Sequence, residues 1–380
     1  NVPHLRFPEF SGEWKKCKLG DLCNVLMCKR ILVSQTNTED GVPFYKIGTI
    51  GSTPDAYISK ELFDDYKVKY NYPRKGEVMI TCAGTVGKCV VYDGEDAYFQ
   101  DSNIVWIDNP TQYISNGFLF HLLSKVDWRK LNSTTIIRIY NDDLRNLKMS
   151  YPRKEEQQKI SHLLSLLDER IATQNKIIED LKKLKSAIIE IEYSPKDSYH
   201  SHIGGAIVQI SKRNKDNHLC NVLSVSNRQG FIKQSEQFED RNVASDDTSN
   251  YKIVEKNDFA YNPARINVGS IARLTKFETG IVSPMYICFR TKDCLLPEYL
   301  ELFFESRNFF YHIQKRLEGS VRLCLSYEEL CNIPIVIPSI EKQKQVDLHL
   351  SKLAQKIDLE MKILQFVQQQ KTYLLHQMFI

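Results

Sequence analysis

Apolar residues between positions 152 and 189 recur at alternating steps of four and three, through Ile160, Leu164, Leu167, Ile171, Ile178, Leu181 and Ile188. That spacing is a heptad seam, whereas a surface helix carries a broader apolar face. The pattern occurs a second time, 186 positions later and without a gap, through Val346, Leu350, Leu353, Ile357, Leu364, Val367 and Leu374. Its entry repeats too: Pro152, Glu155 and Gln157 return as Pro338, Glu341 and Gln343. Polar residues fall on the seam at the same points in both copies, Gln174 with Glu360 and Lys185 with Lys371. Polar seam positions lower stability and fix register. Two ordinary amphipathic helices are the plainer alternative, and ungapped agreement over the whole stretch weighs against it.

Outside these stretches the period is short. Strand-like runs at 78–81, 89–92 and 103–107 are broken by Gly, Pro, Asn and Asp, and a helical stretch follows at 117–131. A second region has the same order: strand-like runs at 205–210, 259–262, 270–274 and 285–289, then a helical stretch at 297–317. Each region closes alike, with Asp142-Asp143-Leu144-Arg145-Asn146-Leu147 before Pro152 and Glu328-Glu329-Leu330-Cys331-Asn332-Ile333 before Pro338. The pattern divides the chain into a first globular region with its lead-in (1–151), a first long helix (152–192), a Ser- and Pro-marked linker (193–203), a second globular region (204–337) and a second long helix (338–380). Correspondence inside the globular regions is loose, as expected of one scaffold carrying two different readouts.

A helix of about 40 residues is roughly 60 Å long. A connector of about eleven residues reaches at most about 40 Å. Parallel pairing would strand the second region at the far end of the pair, so the expectation is antiparallel pairing about an approximate two-fold axis. The globular regions then lie at opposite ends of a spacer. The expected fold class is α+β, with two domains of mixed short strands and helices separated by an antiparallel coiled coil.

The chain has 380 residues and a net charge of +4, so attraction to nucleic acid would have to come from local patches. Ten Cys form no CxxC pair, and the nine His complete no zinc pattern, so no metal site is expected. Unpaired Cys, with no membrane-length apolar run and no signal-type leader, point to a cytoplasmic protein without a membrane role. Gly84-Thr85-Val86-Gly87-Lys88 suggests a phosphate loop but lacks its first glycine, and Cys89 stands where magnesium would need Ser or Thr; a glycine turn is the alternative. Tyr261-Asn262-Pro263-Ala264-Arg265 resembles part of an amino-methyltransferase motif without its second Pro and aromatic; an Asn-capped turn is the alternative. No catalytic constellation stands out. Basic residues do cluster: Lys67, Lys69, Arg74 and Lys75 in a Tyr-rich run, Lys212, Arg213 and Lys215 early in the second region, and Arg265 and Arg273 beside its glycine turn. Lys and Arg neutralise phosphates, while Arg, Asn and Gln read base edges, so Lys69, Arg74, Lys75, Lys88, Arg138, Arg265, Asn267 and Arg322 are the candidate DNA-contacting residues.

The opening PHLRFPEFSGEW followed by KLGDL, and the doubled unit of variable region, closing motif, proline, Glu-x-Gln and heptad helix, resembles the specificity subunits of type I restriction-modification systems. The resemblance implies two target-recognition domains, each reading one half of a split, asymmetric site in double-stranded DNA, with the helices setting the gap. It implies a non-catalytic subunit with no cofactor of its own. Methyltransferase subunits carrying S-adenosylmethionine dock on it, and motor-endonuclease subunits using ATP and magnesium join for cleavage. The rival classes are a coiled-coil interaction scaffold without a DNA role and an enzyme with an unrecognised site.

Overall fold

Both heptad stretches form unbroken helices, Lys154–Glu192 and Ile340–Met378. A computed structural model describes residues 2–130, 138–194, 201–227, 229–234, 247–319 and 323–380. The chain divides into two compact units, 1–175 with 362–380, and 176–361, so the divide falls inside both helices. Every seam residue is buried or half-buried: Ile160, Leu164, Ile178, Val346, Leu350, Ile357 and Val367 fully, Leu167, Ile171, Leu181, Leu353 and Leu364 in part. Within each unit the helices run antiparallel. In the first, Ile160 and Leu164 share a core with Leu374, Leu375 and Met378, and Lys371 pairs with Asp168. In the second, Ile189 shares a core with Val346 and Leu350, and Lys342 lies 3.4 Å from Glu192.

The first unit is built on a four-stranded sheet in the spatial order Asn24–Leu26, Ile104–Asp108, Val78–Thr81, Cys89–Val91, antiparallel throughout. The second unit has the same sheet, Ile207–Ile210, Ile287–Thr291, Phe259–Tyr261, Ile271–Arg273, also antiparallel throughout. A second sheet repeats less closely. Val42–Tyr45 pairs antiparallel with Tyr57–Ile58 and parallel with Tyr98–Phe99; Val222–Ser226 pairs antiparallel with Gly230–Lys233 and parallel with Thr279–Val282. The first unit continues into helix Lys60–Lys69, and the second unit has an edge strand, Lys252–Glu255, without a counterpart among the described residues of the first. Divergence is therefore concentrated in one layer.

Each unit is locked to the start of its own long helix by a buried glutamine. Gln157, fully buried, donates through Nε2 to the carbonyls of Pro152 and Tyr113, both at 2.9 Å, and accepts from the Ser115 N–H at 2.7 Å. Gln343 is equally buried; it donates to the carbonyls of Pro338 at 2.9 Å and Cys294 at 3.0 Å, and accepts from the Leu296 N–H at 2.8 Å. Ser115 and Leu296 are the N-cap residues of helices Asn116–Lys125 and Pro297–Phe304, so one side chain fixes two helix entries. The far ends are docked alike: Phe379 packs on Phe118 and Tyr193 on Tyr299, each pair with ring centroids 4.8 Å apart. Two glycines complete the duplication. A Cβ on Gly20 would lie 3.0 Å from Arg145 Cβ, and one on Gly204 2.7 Å from Cys331 Cβ, so the chain crosses both closing helices where a side chain would clash.

The N-terminal lead-in runs without regular structure up to strand Lys15–Lys18, as its two prolines predict, but it is anchored. Arg6 makes two 2.8 Å bonds to the buried Glu156 carboxylate, which also accepts from Trp14 Nε1 at 3.3 Å. Two element expectations are corrected. The 297–317 stretch is two helices, Pro297–Phe304 and Arg307–Arg316, because the Ser306 hydroxyl accepts from the Phe309 N–H and starts a new helix. The 117–131 helix is Asn116–Lys125, after which Val126 turns extended. Lys67 and Lys69 of the Tyr-rich run lie on helix Lys60–Lys69, where the sequence pattern predicts no element; Ser59 caps it and Phe63 is its buried residue, which is too little apolar signal to read from sequence.

Gln157→Leu and Gln343→Leu conserve volume but strip one donor and two acceptors of their partner. Each is expected to cost about 2–4 kcal/mol of the stability of its own unit, measured by native-state hydrogen exchange in that unit. His121 is fully buried at the first unit's helix junction, with Asp168 4.0 Å away and Lys371 beyond it. Burial first, then Lys371, push its pKa down from 6.5 to about 4, with Asp168 opposing. The unfolded chain therefore binds the extra proton between pH 6.5 and 4, and stability falls as pH drops through that window. The loss is expected to approach about 3 kcal/mol, and His121→Gln should flatten that part of the thermal-melting profile against pH.

Candidate nucleic-acid interface

The cations expected to meet DNA divide sharply by what holds them. Lys69 is exposed and pairs with Asp65 one helical turn back. Arg74 bonds Glu77 at 2.9 Å and also Asp108; Glu77 is a buried carboxylate that caps the turn by accepting from the Arg74 N–H. Lys75 is exposed beside it, with its stem against Gly94. Lys88 is exposed, but its amine is tied to the Ile50 carbonyl. Arg138 donates to the Ser102 carbonyl at 3.1 Å and lies over the Tyr140 ring. Arg265 and Asn267 are exposed on the loop after strand Phe259–Tyr261. Arg322 lies outside the described residues.

The first unit's set is thus split between the two ends of strand Val78–Thr81. Arg74 and Lys75 stand at its start, where Asp108 of the antiparallel neighbour also ends. Lys88 and Arg138 stand at its finish, on a connected rim. There Thr85 Oγ1 donates to the Ile47 carbonyl at 3.1 Å, and the Ile139 N–H reaches the Cys82 carbonyl at 2.9 Å. The 84–88 stretch is a glycine turn leading into strand Cys89–Val91, not into the helix a phosphate loop needs. Gly87 has φ +83° and lies against Trp128, whose Cδ1 would be 2.2 Å from an added Cβ.

The corresponding loop of the second unit, 262–269, is held the same way but presents different chemistry. The Leu325 N–H reaches the Pro263 carbonyl at 3.1 Å, matching Ile139 on Cys82. Asn262 Oδ1 accepts from the Ala264 N–H at 3.1 Å, the expected Asn-capped turn. The loop borders a cleft of about 290 Å³ lined by Ser224, Ser226, Asn227, Gln234, Arg265 and Met285 among others, with no carboxylate among the described residues. Arg273, clustered with Arg265 in sequence, is bound to Glu301, Glu298 and Asn257. Arg290, not singled out from sequence, bonds Asp258 and Glu255, and Asp258 caps the same turn that Glu77 caps in the first unit. The signal was available in the paired Lys75-Gly76-Glu77 and Lys256-Asn257-Asp258, whose middle residues both take positive φ. Among the described residues no three His, Cys, Asp or Glu side chains group as a metal site, and no helix is long and apolar enough to cross a membrane.

Residues 11–183 match the type I restriction modification DNA specificity domain. A Haemophilus influenzae protein classed as a type I restriction enzyme specificity subunit is 49% identical over 167 residues, 44% of this chain and 43% of its own length. A Methanocaldococcus jannaschii protein classed as the MjaX specificity subunit is 24% identical over 204 residues, 50% of this chain and 48% of its own. These alignments span less than half of either relative. Among solved structures, a type I restriction-modification S subunit from M. genitalium superposes with a TM-score of 0.61 at 16% identity, covering 100% of this chain and 99% of that one. A chain from a structure of type I R-M complex assembly and conformational transition gives 0.55 at 14% identity, covering 98% of each. The first half of the chain is thus similar to the type I restriction modification DNA specificity domain, and the whole chain has the fold of the M. genitalium S subunit.

Paired and available cations separate by stability. Arg290→Met leaves the buried Asp258 carboxylate without its cation and is expected to cost about 2–3 kcal/mol. Arg265→Met is expected to cost about 0.5 kcal/mol or less. Denaturant unfolding of the two variants checks both.

Proposed function

We propose that this chain is the DNA sequence-specificity subunit of a type I restriction-modification complex, non-catalytic itself, in which each unit reads one half of a bipartite, asymmetric site in double-stranded DNA. The observation that carries the reading is one four-stranded sheet and one glutamine latch built twice, under loops of different chemistry: Ala83-Gly84-Thr85 in the first unit and Pro263-Ala264-Arg265-Ile266-Asn267 in the second. A repeated scaffold with unlike loops suits recognition of two unlike half-sites. The continuous helices Lys154–Glu192 and Ile340–Met378 act as the ruler between half-sites and as the surface for methyltransferase subunits. Those subunits supply S-adenosylmethionine chemistry, and motor-endonuclease subunits supply ATP- and magnesium-dependent cleavage.

Two measurements test this. Binding of duplex DNA by the chain with its methyltransferase subunits should weaken steeply with salt, since neutralised phosphates release counterions; salt-independent or absent binding would leave an interaction scaffold in its place. Inserting one heptad into each long helix lengthens the pair by roughly 10 Å. The unspecified gap in the methylated site should then grow by about three base pairs, and an unchanged gap overturns the ruler.

A further inference from the structure

The loop at 262–269 carries an arginine that the fold does not use. Arg213 bonds Asn250, Arg273 bonds Glu298 and Glu301, Arg290 bonds Asp258 and Glu255, and Arg316 reaches the carbonyls of His312 and Asn332. Arg265 is exposed, and its guanidinium has no hydrogen-bond or ion-pair partner among the described residues. Its backbone, by contrast, is fully engaged. The Arg265 N–H donates to the Asn262 carbonyl at 3.0 Å, and its own carbonyl accepts from Val268 at 3.2 Å and Ser270 at 3.1 Å. A rigid base under a free fork is what directional recognition requires, because little ordering entropy remains to be lost.

The surroundings select the partner. Among the described residues, no carboxylate lines the adjoining cleft to compete for the arginine. Gln234, whose buried Oε1 has no hydrogen-bond partner among the described residues, is one of its lining residues, and Val268 and Met285 are exposed at its edge. Polar groups mixed with apolar ones suit base edges, whereas phosphates are usually met by several cations and N–H groups. We propose that Arg265 reads a guanine through its O6 and N7 in the major groove of the second unit's half-site, which rests on the DNA-reading role proposed above. The pairing is the commonest specific side chain–base contact, and its fork geometry is one that lysine does not supply. In the first unit the loop offers Ala83, Gly84 and Thr85, and the nearby Lys88 is bound to Ile50, so this readout belongs to the second unit alone.

The test uses the full chain with its methyltransferase subunits and a library of randomised duplexes, sequenced after binding by wild type, Arg265→Ala and Arg265→Lys. Wild type should show a preference for G·C at one position that Arg265→Ala reduces about 10- to 100-fold, with the other positions unchanged. Arg265→Lys should lose the same preference while keeping the salt dependence of wild type. The inference is overturned if both variants keep every preference, or if Arg265→Ala weakens all sequences alike and lowers the salt slope by about one, the mark of a phosphate contact. A wild-type complex that selects no sequence would overturn the DNA-reading role together with it, whereas selective binding untouched by either variant would sink this inference alone.

Discussion

The structure depends on a buried amide in the first turn of each long helix. Gln157 and Gln343 each bind the carbonyl of the proline that starts the helix, a second carbonyl from the globular region, and the N–H of an N-cap residue. An amide donates to two carbonyls and accepts from one N–H here; a hydroxyl has a single donor, a carboxylate could not donate, and an apolar residue would leave three backbone groups without this partner. Because the bonds converge on one planar group, the globular region has little freedom to pivot about the helix. Everything built on the sheet inherits its orientation from that contact.

With the base fixed twice, the layer above it was free to diverge. The sheets Asn24–Leu26, Ile104–Asp108, Val78–Thr81, Cys89–Val91 and Ile207–Ile210, Ile287–Thr291, Phe259–Tyr261, Ile271–Arg273 keep one order and one set of antiparallel pairings. Beyond them the second unit has an edge strand, Lys252–Glu255, that has no counterpart among the described residues of the first. The conserved turns carry buried carboxylates, Glu77 and Asp258, and each holds an arginine, Arg74 or Arg290, in place. Charge in these units is therefore largely architectural: most arginines and many lysines are bound to carboxylates or carbonyls. A net charge of +4 therefore says little about binding, because it does not distinguish bound from available cations.

The helix seam shows a related division of labour. Gln174 and Glu360 are buried at matching seam positions, and Lys371 and Lys185 find Asp168 and Glu305 at its margin. Polar groups at such positions weaken an apolar seam but penalise slipped registers, in which they would face Leu or Ile. A long helix that must present its ends in fixed places gains from that penalty.

The chain by itself determined the duplication, the two long helices, their seam and their antiparallel sense, because a 3.5-residue period and a short linker are local facts that survive in one dimension. It also marked Gln157 and Gln343, the closing motifs and the Asn262 turn, since each is a short-range signal. It did not reveal helix Lys60–Lys69, with one fully buried residue, or the break at Ser306, where a single hydroxyl outweighs continuous helical periodicity. Least legible was the standing of each cation. Arg265 and Arg273 are eight positions apart and alike in sequence, yet one has no partner among the described residues and the other is held by Glu298 and Glu301. Those carboxylates come from a helix more than twenty residues downstream, so only the folded chain, by bringing distant charges within bonding distance, decides which arginine is spent and which is left for a ligand.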